Sequence, residues 1–112
     1  MEEIRFGENT IGIVLGDDIH CLRTWPKEFA AVLDGKKPFE VRRNDRDFKV
    51  GQLLLLEEYD PAQDRHSGRV ILARVTYLLL GGQFGLPEDI CVMGIAVSLS
   101  GQACPADNLI SE

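Results

Sequence analysis

The sequence predicts an α+β domain that is mainly β: a small, mostly antiparallel β-barrel with one principal helix after the first domain strand. Three observations support this fold class. The chain has 112 residues, enough for one hydrophobic core but not for two. Apolar periodicity follows the order strand, helix, strand, strand, strand, strand. The connections are short, and there are too few helices to cover both faces of a parallel sheet.

The domain proper is predicted to span residues 18–99. Residues 1–17 are treated as an N-terminal extension that either adds an edge strand through the run IGIVL or lies loosely. Residues 100–112 show no periodicity, so a flexible C-terminal tail is expected. The apolar run TIGIVLG is far shorter than the roughly 20 residues of a membrane helix. No membrane association and a cytoplasmic location are therefore expected.

The first strand and the helix are predicted from residues 18–35. DIHCLRT (18–24) alternates as a short strand does, and WPKEFAAVLDG (25–35) then begins a helix with Pro26 in its first turn. Gly35 is placed to end that helix with a left-handed residue. One apolar stripe of the helix is predicted to contain Trp25, Phe29, Val32 and Leu33.

Four further strands follow the helix. PFEVRR (38–43) alternates, with Phe39 and Val41 on one face of a half-buried strand. QLLLLEEYD (52–60) is apolar enough for a central strand, and RVILARVTYLLL (69–80) pairs back across the loop 61–68. ICVMGIAVSL (90–99) is the last strand, after the glycine-rich loop 81–89. Tyr59 and Tyr77 are expected to pair across the hairpin, although either ring could stack on a base.

The charge of the chain is segregated. Its net charge is −6, but the segment 36–49 carries six basic and three acidic residues, a net charge of +3. An acidic protein is unsuited to broad, nonspecific wrapping of nucleic acid, yet a local basic pocket remains open to it. Two of the basic residues, Lys36 and Lys37, also have a structural explanation, because cations are favourable beside the negative end of a helix.

Lys37, Glu40 and Arg42 are the candidates for a site. Glu40 and Arg42 share one face of the predicted strand, whereas Lys37 has the wrong parity and can join them only from the turn that leaves the helix. The two cations could then hold phosphate or a polarised carbonyl, and Glu40 could accept a proton or read a base edge. Plain salt bridging on a sheet surface explains the same residues.

Gly35, Lys37, Glu40 and Arg42 match in order and spacing the GxKxxExR signature of the ASCH domain, a member of the PUA-like superfamily. Residues 18–98 as a whole resemble a small ASCH-like family of bacteria and phages of unassigned function (DUF3850-like). The resemblance implies a PUA-like barrel with a pocket beside the helix. It implies an RNA or modified-nucleoside ligand held by Lys37, Glu40 and Arg42.

The same resemblance also implies an enzymatic alternative. One ASCH branch hydrolyses the acetyl amide of N4-acetylcytidine with a lysine, a threonine and a downstream glutamate. Lys37 matches that lysine, but Glu40 stands at the threonine position and cannot replace a hydroxyl nucleophile. Lys37 and Glu40 are catalytic candidates only if the protein is an amidohydrolase or a ribonuclease.

Further ligand-binding candidates surround the signature: Thr24, His20, Trp25, Arg43, Asn44 and Arg46. Packing at the helix entry is the preferred explanation of Trp25, and shaping of a turn that of Asn44. Two histidines and three widely spaced cysteines favour neither a metal site nor a disulfide framework, and no cofactor is expected.

Three hypotheses for function follow. The first is a binding module for RNA or a modified nucleoside. The second is a hydrolase of nucleic acid or nucleosides. The third is a phage-type factor that engages a protein partner through its acidic surface. The oligomeric state is left open.

Overall fold

The computed structural model describes residues 2–6, 9–13 and 18–103, and the side chains of residues 18–102. The strands and the helix are β1 (Glu2–Phe6), β2 (Asn9–Ile13), β3 (Ile19–Thr24), α1 (Pro26–Leu33), β4 (Phe39–Arg43), β5 (Leu53–Asp60), β6 (Arg65–Leu79) and β7 (Ile90–Ala103). This order confirms the predicted mainly-β architecture with one principal helix after the first domain strand.

Five strands form a curled half-barrel in the order β3, β5, β6, β7, β4. Neighbouring strands are antiparallel except β3 and β5, which run parallel because α1 and β4 intervene between them in the chain. One edge of β7 pairs with β6, and the other edge is long enough to pair with two strands. Residues 90–94 pair with β4, and residues 102–103 pair with β1.

The helix has the ends that its sequence predicts. Pro26 occupies the first helical turn, where the missing N–H costs nothing, and Trp25 is the N-cap. Gly35 has a φ of 77°, and the backbone N–H groups of Gly35 and Lys36 donate to the carbonyls of Val32 and Ala31. This left-handed residue closes the last turn and redirects the chain toward β4.

The core occupies the concave side of the sheet. It consists of Leu22, Phe29, Val32, Phe48, Leu54, Leu56, Ile71, Ala73, Val75, Cys91, Met93 and Ile95. A second cluster on the opposite face contains Ile19, Leu55, Val70 and Leu72. Since β5 contributes to both clusters, its unbroken apolar run is that of a strand buried on two faces, as the sequence predicted.

The predicted apolar stripe of the helix is only half correct. Phe29 and Val32 are buried in the core, whereas Trp25 is 61% exposed and Leu33 is also exposed. The short helix presents about two turns to the sheet, so residues at its rims remain in solvent. Trp25 therefore does not anchor the helix entry by packing in the core.

The alternation of apolar and polar residues in β4 suggests that the apolar face is buried, but the structure buries the polar face. Glu40 is 1% exposed, while Phe39 and Val41 are exposed. The carboxylate faces the mouth of the half-barrel, and the apolar side chains face outward. The predicted partition of the residues into two faces is correct, but the polar face is the buried one.

Several boundaries differ from those predicted. β6 begins at Arg65, which shortens the hairpin loop, and β7 continues to Ala103, so residues 100–103 are strand and not tail. β1 and β2 form a hairpin within the segment treated as an extension. The remainder of the predicted tail, residues 104–112, lies outside the described residues. Tyr59 is opposite His66 and Tyr77 opposite Gly94, so the predicted tyrosine pair is wrong.

Candidate functional site

A cleft of about 290 Å³ lies where the end of β3, the start of α1 and strand β4 meet. It is lined by Arg23, Thr24, Trp25, Glu28, Lys37, Glu40, Val41 and Arg42. The three signature side chains Lys37, Glu40 and Arg42 therefore border one space, the arrangement that the sequence allows only if Lys37 belongs to the turn before β4. Three cations and two carboxylates line this cleft, which makes it locally basic in an acidic protein.

Lys37 reaches the cleft from the turn between α1 and β4, before the regular strand begins at Phe39. Its Nζ lies 2.9 Å from Glu28 Oε1, and the lysine side chain is largely buried. The hydrogen bond and the charge of Lys37 lower the pKa of Glu28. The pair holds the ammonium at the junction of the helix and β4.

Glu40 borders the cleft and is almost fully buried. Its Oε1 accepts a hydrogen bond of 2.9 Å from Arg42 Nε. Its Oε2 is buried and has no hydrogen-bond partner among the residues that the structure describes. A buried acceptor without a donor costs about 1–3 kcal/mol, and such groups are rare in native proteins. The orphaned oxygen points to a missing donor at this position.

Arg42 connects the two outer strands of the half-barrel. Besides Glu40, its guanidinium donates through Nη2 to the carbonyl of Arg23 at 2.9 Å and to Thr24 Oγ1 at 3.1 Å. Arg46 Nη1 likewise donates a hydrogen bond of 2.7 Å to the carbonyl of Cys21, the next outward carbonyl of β3. Among the described strands β3 is at the edge of the sheet, and the two arginines donate to two of its outward carbonyls.

Trp25 and Thr24 present different surfaces to the cleft. The indole is mostly exposed, whereas Thr24 is buried and accepts from Arg42. An exposed tryptophan beside a charged cleft offers a flat apolar surface of the kind on which bases stack. Trp25 is the single tryptophan of the chain, so its fluorescence reports on this cleft alone.

The remaining candidates lie elsewhere. His20 Nε2 is 3.0 Å from Gln52 Oε1, and its ring packs edge-on against Phe48 in the core. Arg43 projects outward, 3.9 Å from Asp89. Asn44 Oδ1 accepts from the N–H of Phe48, which is the turn-shaping role considered from the sequence. Together with Arg46, these residues do not line the cleft.

Three cleft residues were missed from the sequence: the apolar Val41 and the charged Arg23 and Glu28. Arg23 lies on the outward face of β3, with its guanidinium 4.4 Å from the centre of the Tyr59 ring. Glu28 precedes Lys37 by nine residues and meets it only because Gly35 reverses the chain. Its position in the first helical turn, where carboxylates are favourable, was the one available signal.

A second cleft, of about 440 Å³, lies under the β5–β6 hairpin. Its lining residues include Glu58, Asp60, Arg65 and His66. Glu58 accepts from both Arg69 and Ser67, which lowers its pKa despite partial burial. Because its buried carboxylate is already paired, this cleft carries no sign of a missing ligand group.

The described residues contain neither a cluster suited to a metal ion nor a helix suited to a bilayer. Within the described ranges, no group of three or more His, Cys, Asp or Glu side chains is arranged to hold a metal ion. Cys91 is buried, which raises the pKa of its thiol, and Cys21 is partly buried. In the same part of the chain, no helix has the length and apolar character needed to cross a bilayer.

Comparison with known proteins places the chain in a family. A family model described as a domain of unknown function, DUF3850, matches residues 19–95. The chain belongs to the DUF3850 family. The matched range of this DUF3850 protein includes every residue that lines the cleft.

A relative of this DUF3850 protein is found in a phage. An uncharacterised 12.9 kDa protein in the GpA 3′ region of Escherichia phage P2 is 40% identical over 58 residues. The alignment covers 52% of this chain and 51% of the phage protein. The chain therefore matches about half the length of this relative.

Proposed function

We propose that this DUF3850 protein is a PUA-like, ASCH-type module that binds RNA or a modified nucleoside in the cytoplasm, with one base in the cleft beside α1. Two features support the PUA-like assignment. The sheet curls into a half-barrel with its helix next to the first domain strand, and the GxKxxExR residues converge at the mouth of that half-barrel.

The unpaired Glu40 Oε2 is the observation that carries the proposal. Arg42 occupies Oε1, so Oε2 is the oxygen left for a ligand, and it accepts only from an N–H or O–H group. Among base edges, the exocyclic amine of cytosine is the natural partner of a carboxylate. Uracil presents an acceptor, O4, at the same place and would meet Oε2 with repulsion.

The other cleft residues supply the remaining parts of a nucleotide site. The exposed Trp25 ring provides a stacking surface. Lys37 and Arg23 place positive charge at the rim, where a sugar-phosphate would lie. Glu40 would contact the base edge, whereas Lys37 and Arg23 would attract the sugar-phosphate backbone of the ligand. Base specificity is therefore expected to depend on Glu40, and the salt dependence of binding on the two cations.

Titration of the wild-type protein with cytidine and with uridine tests the proposal. Trp25 fluorescence reports on stacking in the cleft, and calorimetry measures affinity independently. We expect cytidine to quench Trp25 and to bind about ten-fold more tightly than uridine, the discrimination typical of one base-edge contact. Absence of any response to cytidine, to N4-acetylcytidine and to a cytidine tetranucleotide would overturn it.

A hydrolase is the second candidate, and one observation favours it: the hydroxyl of Thr24 lines the same cleft as Lys37 and Glu40. The alternative requires a free nucleophile, yet Thr24 Oγ1 is engaged by Arg42 and Lys37 Nζ by Glu28. Incubation of the protein with N4-acetylcytidine, followed by chromatography, distinguishes the two. Binding without release of acetate supports the binding module, and turnover that Thr24→Val abolishes supports the hydrolase.

A further inference from the structure

The outer face of the sheet carries an aromatic pair on either side of a glycine. Gly94 on β7 is opposite Phe39 on β4 and opposite Tyr77 on β6, so the three residues form one row across three neighbouring strands. Phe39 is 40% exposed and Tyr77 is 64% exposed. Neither ring is used by the core or by the cleft.

The spacing of this row fits a planar ring between the two aromatic side chains. Adjacent strands are about 4.8 Å apart, so the backbones at Phe39 and Tyr77 are separated by roughly 9–10 Å. Side chains stand nearly perpendicular to a sheet. A ring placed midway would lie about 5 Å from each aromatic side chain, within the range of favourable stacking.

Gly94 keeps the space between the rings open. A Cβ added there would lie 3.5 Å from Tyr77 Cβ and 3.1 Å from Thr76 Oγ1. Any side chain at this position would therefore crowd the base of the tyrosine ring and fill the floor between the two aromatics. We call the space bounded by Phe39, Gly94 and Tyr77 the aromatic slot.

The aromatic slot adjoins the cleft at Lys37 and Val41. Lys37 Nζ lies 5.7 Å from the centre of the Phe39 ring while it also lines the cleft. Val41 faces outward with Phe39 and is itself a cleft residue. A strand of nucleic acid with one base in the cleft can therefore place its next phosphate near Lys37 and a neighbouring base in the slot.

We propose that the aromatic slot is a second base-binding subsite, and that the ligand of the cleft is single-stranded nucleic acid of at least two nucleotides rather than a free nucleoside. This inference rests on the proposed function.

Charge favours this occupant over a second copy of the chain. Lys37 borders the slot, with its Nζ 5.7 Å from the centre of the Phe39 ring, and phosphates pair with such a cation, whereas the centre of a protein interface is depleted of charge.

Calorimetric titrations with cytidine and with a cytidine tetranucleotide test the slot. The variants are Phe39→Ala and Tyr77→Ala, and Val97→Ala on β7 is the control for loss of an exposed apolar side chain. Tyr77→Ala is the cleaner variant, because Phe39 also contacts Lys37. Thermal melting of each variant establishes that it folds.

We expect the wild type and Val97→Ala to bind the tetranucleotide about five- to hundred-fold more tightly than cytidine, the range for one stacked base. Phe39→Ala and Tyr77→Ala should lose that gain and keep their cytidine affinity. Normal cytidine binding with an undiminished tetranucleotide affinity in both variants overturns the slot and leaves the cleft intact.

Two other outcomes have different meanings. A wild type that binds neither probe overturns the cleft and the slot together. A change from dimer to monomer on sedimentation of Tyr77→Ala, with nucleic acid binding unaltered, would assign the face to a second copy of the chain and contradict the proposal.

Discussion

Arg42 Nε donates a hydrogen bond of 2.9 Å to Glu40 Oε1, and the two residues lie on the same inward face of β4. The bond occupies one carboxylate oxygen and orients the other, Oε2, which is left without a partner in the described part of the chain. The remaining guanidinium donors span to β3. One arginine thus both links β4 to β3 and holds the carboxylate whose second oxygen is unpaired.

Replacement of Arg42 by alanine is expected to destabilise the fold. The change leaves the buried Glu40 carboxylate without the donor on Oε1 and removes donors from Arg23 O and Thr24 Oγ1. Removal of one member of a buried pair costs about 3–5 kcal/mol, and we expect the lower end because Arg42 is partly exposed. Urea denaturation measures the difference in the free energy of unfolding.

Arg43→Ala is the matched control. Arg43 adjoins Arg42 in the chain, but its side chain is exposed, and its ion pair with Asp89 is long, at 3.9 Å. Its expected cost is below about 1 kcal/mol. Equal stability of the two variants would contradict the connecting role of Arg42. Because Arg42→Ala is expected to destabilise the fold, a loss of ligand binding in this variant has to be judged together with its free energy of unfolding.

The signature glycine is expected to act through the backbone. Gly35 has a φ of 77°, and a Cβ added there would meet no atom within 4 Å. Gly35→Ala should therefore cost about 1–2 kcal/mol from conformation alone. Gly35→Asn should cost less, because asparagine tolerates this region. Unchanged stability with lost ligand binding would instead make Gly35 a contact residue.

The stability of the protein is expected to fall in acid partly through Glu58. Its hydrogen bond from Arg69 lowers the pKa of the carboxyl in the folded state. The stabilisation is present above the unfolded value, about 4.3, and is lost as the pH falls through the lowered folded pKa. Because Arg69 is itself about half exposed, Glu58→Gln should cost only about 1 kcal/mol at pH 7.

Denaturation of wild type and Glu58→Gln between pH 7 and pH 2 checks this dependence. The two curves should converge at the acidic end. The exposed Glu88 provides the control variant Glu88→Gln, which should follow the wild type throughout. A gap between wild type and Glu58→Gln that is constant with pH would contradict the ion pair.

Periodicity predicted the elements well where burial is regular. The run of leucines in β5 is buried on both faces, and the ends of α1 follow Pro26 and Gly35. Alternation in β4 predicted two faces but not their direction. The inner face of this strand borders the cleft, so a carboxylate takes the place that an apolar residue has in the closed part of the core.

Contacts between residues far apart in the chain could not be predicted from the sequence. The pair of Glu28 and Lys37 depends on a chain reversal, and Arg23 enters the cleft only through the placement of β3 beside β4. The tyrosine pairing failed because the two residues lie at opposite ends of the hairpin: Tyr59 is beside the turn and opposite His66, whereas the pairing of β6 with β5 ends at Arg74, before Tyr77. Tyr77 is opposite Gly94 on β7 instead.

Binding of cytidine and uridine to Glu40→Gln tests the central claim most directly. Arg42 is a donor, so it keeps the glutamine oxygen at the Oε1 position and turns the amide NH₂ toward the place of Oε2. The acceptor offered to the ligand thereby becomes a donor. We predict that the wild type prefers cytidine and that Glu40→Gln prefers uridine, each by about ten-fold in calorimetry with matching Trp25 quenching. An unchanged cytidine preference in a folded Glu40→Gln protein would contradict the role assigned to Glu40.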